Sequence, residues 1–221
     1  VNFSEKGKQI YYLLPILQNI FLLLFAVLDT YQQNTIENYL NAIHLLPQEA
    51  MSEFLSHWEV VDFKRNDFIT FEGQTERYLY FVLEGIQRSF YIKDAKEHVI
   101  AFTYPPSFSG IPESFITQTP SHYFLQTITA SKMLRFYYAH LEELFDKHHA
   151  LERLFRKAYE QVLIGLIQRQ YEHLAFSIEE RFRAFLRRSP HLLNQIPHKH
   201  LASYLGIDAT NFSKLLNSIK V

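Results

Sequence analysis

The sequence predicts an α+β protein: a jelly-roll-like β-roll, then a long helix, then a C-terminal helical domain ending in a helix-turn-helix. Three observations carry this. Residues 59–128 are rich in aromatic and β-branched side chains, broken at short intervals by turn signals such as Arg65-Asn66-Asp67, Glu72-Gly73, Glu84-Gly85, Lys93-Asp94 and Ser109-Gly110, the pattern of several short strands. From Leu141 the apolar spacing becomes helical. In the last stretch, two short apolar-periodic segments flank Gly206. At 221 residues with 20 Phe and 14 Tyr, the chain can build one large or two modest cores. It contains no cysteine, which excludes disulfides, thiol catalysis and cysteine-held metal clusters and fits a reducing, cytoplasmic setting.

Residues 1–33 form an unassigned apolar N-terminal segment. Ile10 to Leu28 is nearly all apolar, interrupted by Pro15, Gln18 and Asn19, with Lys6 and Lys8 upstream. That length suffices for a bilayer span. The basic start also resembles a signal peptide, although AVLDTYQQ lacks a small-residue cleavage site. An additional packing helix, a membrane segment and an upstream-extended start all remain open. A short helical stretch follows from Ile36 to Phe54.

Residues 34–148 constitute the β-roll domain. Phe90, Ile92, Val99, Ala101 and Thr103 alternate around the charged turn KDAKE, as a hairpin with one buried face should. A roll closes most strand edges and is expected to leave a cavity. Residues 149–176 form the long helix. Leu151, Phe155, Ala158 and Val162 recur at helical spacing, beside a second row through Leu154, Leu163, Leu166 and Ile167. One row can pack on the roll while the other meets a second copy, so Leu151, Phe155, Ala158 and Val162 are the expected homodimer interface. Ser177 with Glu180 is a capping box that starts a new helix and marks a hinge.

Residues 177–221 are the C-terminal domain. Pro197 suits a first helical position, Leu201, Ala202 and Leu205 supply an apolar face, and Gly206 is a left-handed terminator. Asp208 then caps a second helix carrying Phe212, Leu215, Leu216 and Ile219. Its polar side presents Thr210, Asn211, Ser213, Lys214 and Asn217, with Lys199 at the start of the preceding helix. Asn can bond adenine in a bidentate manner, and Lys can reach guanine or phosphate. Seven Lys/Arg face three acids in residues 177–221, a balance of +4, which leaves −5 for residues 1–176 of a chain totalling −1. A cationic module on an acidic one suits contact with double-stranded DNA.

Enzyme chemistry finds little support. His198 and His200 are two apart and diverge on a helix. His148-His149 has no carboxylate cluster, and the β region offers only isolated His98 and His122. There is no Gly-rich phosphate loop and no G-x-S-x-G elbow. Surface histidines account for these residues better than a metal site does, and no cofactor is expected.

The stretch KRNDFITFEGQTERYLYFVLEGIQRSFYIKD, with its Phe71-x-Gly73 turn, Tyr80 to Leu83 strand, Glu84-Gly85 turn and Arg88, resembles the opening of the cyclic-nucleotide-binding roll of the CRP/FNR superfamily. ESFITQTPS, EELFDKH and IPHKHLASYLGI resemble a Bacteroidetes-type subgroup of it. The resemblance runs from about Ile36 to the C-terminus. It implies a homodimeric, DNA-binding transcription regulator with a sensor roll, a small-molecule effector not identified by sequence, and RNA polymerase as a candidate partner. It also places Gly110, Ile111, Glu113, Ser114, Ser121 and His122 around the ligand pocket. Relatives that bind cyclic AMP hold the ribose with a Glu and the phosphate with an Arg. Here those positions read Ile111 and Ser121, with Glu113 displaced by two, so cyclic AMP is not the expected ligand. The alternative is a β-roll ligand receptor or membrane-tethered scaffold that does not read DNA.

Overall fold

The computed structural model describes residues 28–218, so the apolar stretch before Leu28 lies outside the described residues. Helix α1 (Thr30–Ile43) begins at Asp29, whose carboxylate accepts the Gln32 N–H at 2.9 Å while Gln32 Oε1 accepts the Asp29 N–H at 3.0 Å. This reciprocal cap starts the helix ahead of the expected Ile36. The single expected stretch is also split. Pro47 disfavours helical geometry in the residue before it, and α2 (Gln48–Ser56) follows as a separate helix. No helix among the described residues is long and apolar enough to cross a membrane.

Eight strands follow: β1 (Trp58–Phe63), β2 (Phe68–Thr70), β3 (Tyr78–Glu84), β4 (Gln87–Lys93), β5 (Lys96–Thr103), β6 (Ser107–Ser109), β7 (Phe124–Thr127) and β8 (Ser131–Tyr137). They form two four-stranded antiparallel sheets, ordered β1-β8-β3-β6 and β2-β7-β4-β5. The first strand pairs with the last, which closes the roll. Between β6 and β7 lies the short helix α3 (Pro112–Thr117). At the β3–β4 turn Gly85 has φ +91°, and an added Cβ would lie 2.5 Å from the Ala130 carbonyl oxygen.

The β4–β5 hairpin turns through Asp94 and Ala95, both at positive φ, as a two-residue primed turn requires. Its register departs from simple alternation. A bulge pairs Ser89 with Ala101 but Phe90 with Val99, so Val99 shares a face with Phe90, and Ala101 shares the opposite face with Ser89. Ile92, expected on a buried face, is 51% exposed.

After the roll come α4 (Ala139–Lys147) and the 27-residue α5 (His149–Ala175). The first core joins Ile36, Leu40, Phe54 and Trp58 to Phe81, Leu134 and Phe136 and to Leu151, Leu154 and Phe155 of α5. Ser177 then caps α6 (Ile178–Arg188) with the Glu180 box the sequence anticipates. A 3-10 turn (Pro190–Asn194), α7 (His198–Leu205) and α8 (Ala209–Ser218) complete the described residues. Pro197 lies one residue before α7, at its N-cap. A second core of Phe182, Phe185, Leu192, Leu201, Leu205 and Phe212 also takes in Ile86 and Ile128 of the roll, so the C-terminal helices share apolar packing with the β domain.

Candidate nucleic-acid interface and the closed roll

Helix α7 ends at Gly206, φ +65°, in the left-handed conformation that only glycine adopts without strain. Three residues later α8 begins. Asp208 receives the Asn211 N–H at 2.8 Å and the Asn211 side-chain amide at 2.5 Å; the backbone N–H holds the Asp208 carboxyl below the usual carboxylate range. Phe212 is fully buried, edge-on to Phe182 at 5.6 Å, and it fixes which face of α8 looks inward. Thr210, Ser213, Lys214 and Asn217 are therefore exposed, and so is Lys199 on α7. Asn211 is half-buried with its amide engaged by Asp208, so it is less available to a partner than the expectation of a groove-facing residue implies. Among the described residues this helix face offers short polar side chains and the cation of Lys214, side chains of the kind that bond base edges and phosphates.

At the candidate ligand pocket the serine hydroxyls are engaged within the chain. Gly110 and Ile111 precede α3, Glu113 and Ser114 lie on it, and Ser121 and His122 follow in the loop before β7. Yet Ile111 is buried as the residue preceding α3. The Ser114 hydroxyl donates to the Thr119 carbonyl at 2.5 Å and accepts the Glu76 N–H at 2.9 Å. The Ser121 hydroxyl is held by the backbone of Tyr123 at 2.9 Å on both sides. Glu113 and His122 are exposed on the outside. The space between the sheets at this end is occupied by Tyr80, Val82, Ile111, Leu125 and Met133, where the sequence led us to expect a cavity.

Sequence reasoning missed Glu76. Its carboxylate is 2% exposed, accepts from the Thr70 hydroxyl at 2.5 Å and the Tyr78 N–H at 3.1 Å, and burial raises its pKa. It ties the β2–β3 loop to β3, and it does so with all its bonds inside the chain. His200 was also misplaced by the surface-histidine expectation: it is 8% exposed and bonded to Arg88. Nothing in local spacing signals this, since the partner lies 112 residues away. Among the described residues no cluster of three or more His, Asp or Glu is placed to hold a metal ion.

The long helix divides along its length. Leu151 and Phe155, expected at a partner, are instead buried in the chain's own core, while Ala158 is half-buried and Val162 is 51% exposed. Beyond it Leu163, Leu166, Ile167, Tyr171 and Leu174 are each more than half exposed. Together these side chains follow helical spacing as an exposed apolar stripe.

Residues 60–148 match the family model of the cyclic nucleotide-binding domain. No curated protein matches the chain. Among solved structures, FixK2 from Bradyrhizobium japonicum is similar with a TM-score of 0.61 at 16% identity, over 72% of this chain and 83% of that one. The catabolite activator protein of Thermus thermophilus gives 0.51 at 20% identity, over 80% and 84%. The c-di-GMP-responsive global regulator CLP of Xanthomonas campestris gives 0.57 at 18% identity, over 77% and 90%. These likenesses show the fold: a roll of the cyclic-nucleotide-binding type followed by a long helix and smaller C-terminal helices.

Proposed function

We propose that this chain is a CRP/FNR-type transcription regulator that binds double-stranded DNA as a homodimer through α7 and α8. The observation that carries this is the pairing of α7 and α8 around the left-handed Gly206, which buries Phe212 and leaves Thr210, Lys214 and Asn217 on an exposed polar face. A helix pair of this kind places its second helix in the major groove and the N-terminus of its first near the backbone, which gives Lys199 a phosphate role. The apolar stripe from Val162 to Leu174 supports pairing with a second copy. The fold likeness to named regulators supports the same reading.

In this reading the roll does not use cyclic AMP as its switch. Ile111 and Ser121 stand where a ribose acid and a phosphate arginine are needed, and neither offers a charge. The test is selection of bound duplexes from a random library, followed by affinity measurements on the enriched site. Alanine at Asn217 or Thr210 should relax base preference and cost about 1–3 kcal/mol, whereas Lys214→Ala should weaken binding and reduce its salt slope by about 1. No enrichment, or affinity untouched by all three substitutions, would refute the assignment and favour a roll that does not read DNA.

A further inference from the structure

Strand β5 ends the sheet β2-β7-β4-β5, and among the described residues no other strand covers its outer edge. Helix α7 covers it instead. Ser203 Oγ donates to the Glu97 carbonyl at 3.0 Å and accepts the Val99 N–H at 3.0 Å. These are the two edge groups that a neighbouring strand would pair. Beside this bridge lies Arg88, 5% exposed. Its guanidinium donates to Glu97 Oε2 at 2.6 Å and Oε1 at 3.2 Å, and to Gln126 Oε1 at 2.7 and 3.1 Å, and it lies over the Phe90 ring at 4.0 Å. Nη1 also meets His200 Nδ1 at 2.8 Å. Arginine has only donors, so Nδ1 must be the acceptor and the ring proton must sit on Nε2. This bond exists only while the imidazole is neutral.

We propose that the Arg88–His200–Ser203 contact is a proton-sensitive latch, holding the C-terminal helices on the roll while His200 is neutral and releasing them when it is protonated. Three charged groups face the ring: Arg88 from β4, Glu97 from β5 at 3.9 Å, and Lys199 from its own helix. A proton on Nδ1 would point at the Arg88 N–H and set two cations together. Glu97, already held by the Arg88 fork, favours the charged ring but offsets this only in part. Burial first, and then Arg88, lower the His200 pKa from 6.5 to about 4. The undocked state takes up its proton near 6.5, and the docked state resists until about 4. Docking is thus at full strength above pH 6.5 and weakens as pH falls through the window, by roughly two orders of magnitude in total.

The polar face of α8 is exposed while the latch is closed, so the latch acts on where α8 is held and not on access to it. Any consequence for DNA rests on the function proposed above, whereas the latch itself is measured without DNA. The experiment follows exchange of the Val99 amide by NMR in the full chain from pH 7.5 to 4.5, corrected for intrinsic exchange. Trp58, the only tryptophan and buried beside Phe54 and Phe136, reports by fluorescence that the roll stays folded. Val99 protection should fall roughly tenfold at pH 5.5 relative to pH 7.5. In His200→Gln the amide oxygen accepts from Arg88 without titrating, so protection should be flat with pH. Ser203→Ala should lower Val99 protection at every pH. Protection independent of pH in the unaltered chain, or a His200 ring that titrates near 6.5, overturns the proposal. So does a His200→Gln variant that loses protection in parallel with the unaltered chain.

Discussion

Gly85 shows how little freedom a single backbone position has. With φ +91° and a hypothetical Cβ only 2.8 Å from Ser131 Cα, Gly85→Ala meets backbone strain and backbone crowding together. Destabilisation by about 2–5 kcal/mol is expected in urea unfolding; a change below about 1 kcal/mol would mean that the turn adapts freely. At the roll end, Ile111 and the self-bonded Ser121 lead to the expectation that calorimetry detects no micromolar binding of cyclic AMP or cyclic GMP. Tight binding coupled to a gain in duplex affinity would mean that Glu113 or His122 had taken over the missing contacts. Residue roles set by near neighbours were legible in the sequence: the Ser177–Glu180 box and the Gly206 terminator depend on a few adjacent side chains. Glu76 and His200 were not legible. Their burial is decided by Ser114 and Arg88, 38 and 112 residues away, and no local pattern encodes that meeting.

At the scale of elements, α5 carries two surfaces in series. Its first two turns are covered by Phe54, Phe108 and Phe145, while past Ala158 the apolar stripe stays more than half exposed among the described residues. Periodicity alone reads this helix as two rows around one axis, because spacing reports angle and not how far along the helix a neighbouring domain extends. The β4–β5 hairpin shows the same limit. Its turn was visible in KDAKE, but the bulge at Ser89/Phe90 reassigns Val99 and Ala101 to opposite faces. Leu166→Glu places like charges together at a symmetric contact, and sedimentation should show a monomer at concentrations where the unaltered chain is dimeric. Leu151→Ala, in contrast, should leave assembly intact while costing about 2–5 kcal/mol of fold stability. A monomeric unaltered chain would refute the homodimer, and dissociation by Leu151→Ala alone would move the interface elsewhere.

For the whole molecule, the order of roll, long helix and helix pair was readable because the hydrophobic period changes after the roll and the Ser177–Glu180 cap and Gly206 divide the helices that follow. How the parts dock was not, since it depends on the β5 edge and on Ile86 and Ile128 joining the second core. The charge asymmetry adds a consequence on the same scale. A module of +4 at one end of a chain of net −1 should bind duplex DNA with a strong dependence on salt, because each neutralised phosphate releases condensed counterions. The most direct measurement is therefore equilibrium binding of the chain to its selected duplex between 50 and 200 mM salt, beside a scrambled duplex of the same length. Two copies per duplex, affinity that falls steeply with salt, and about a thousandfold or greater preference for the selected sequence are expected. Equal, salt-independent affinity for both duplexes would contradict it.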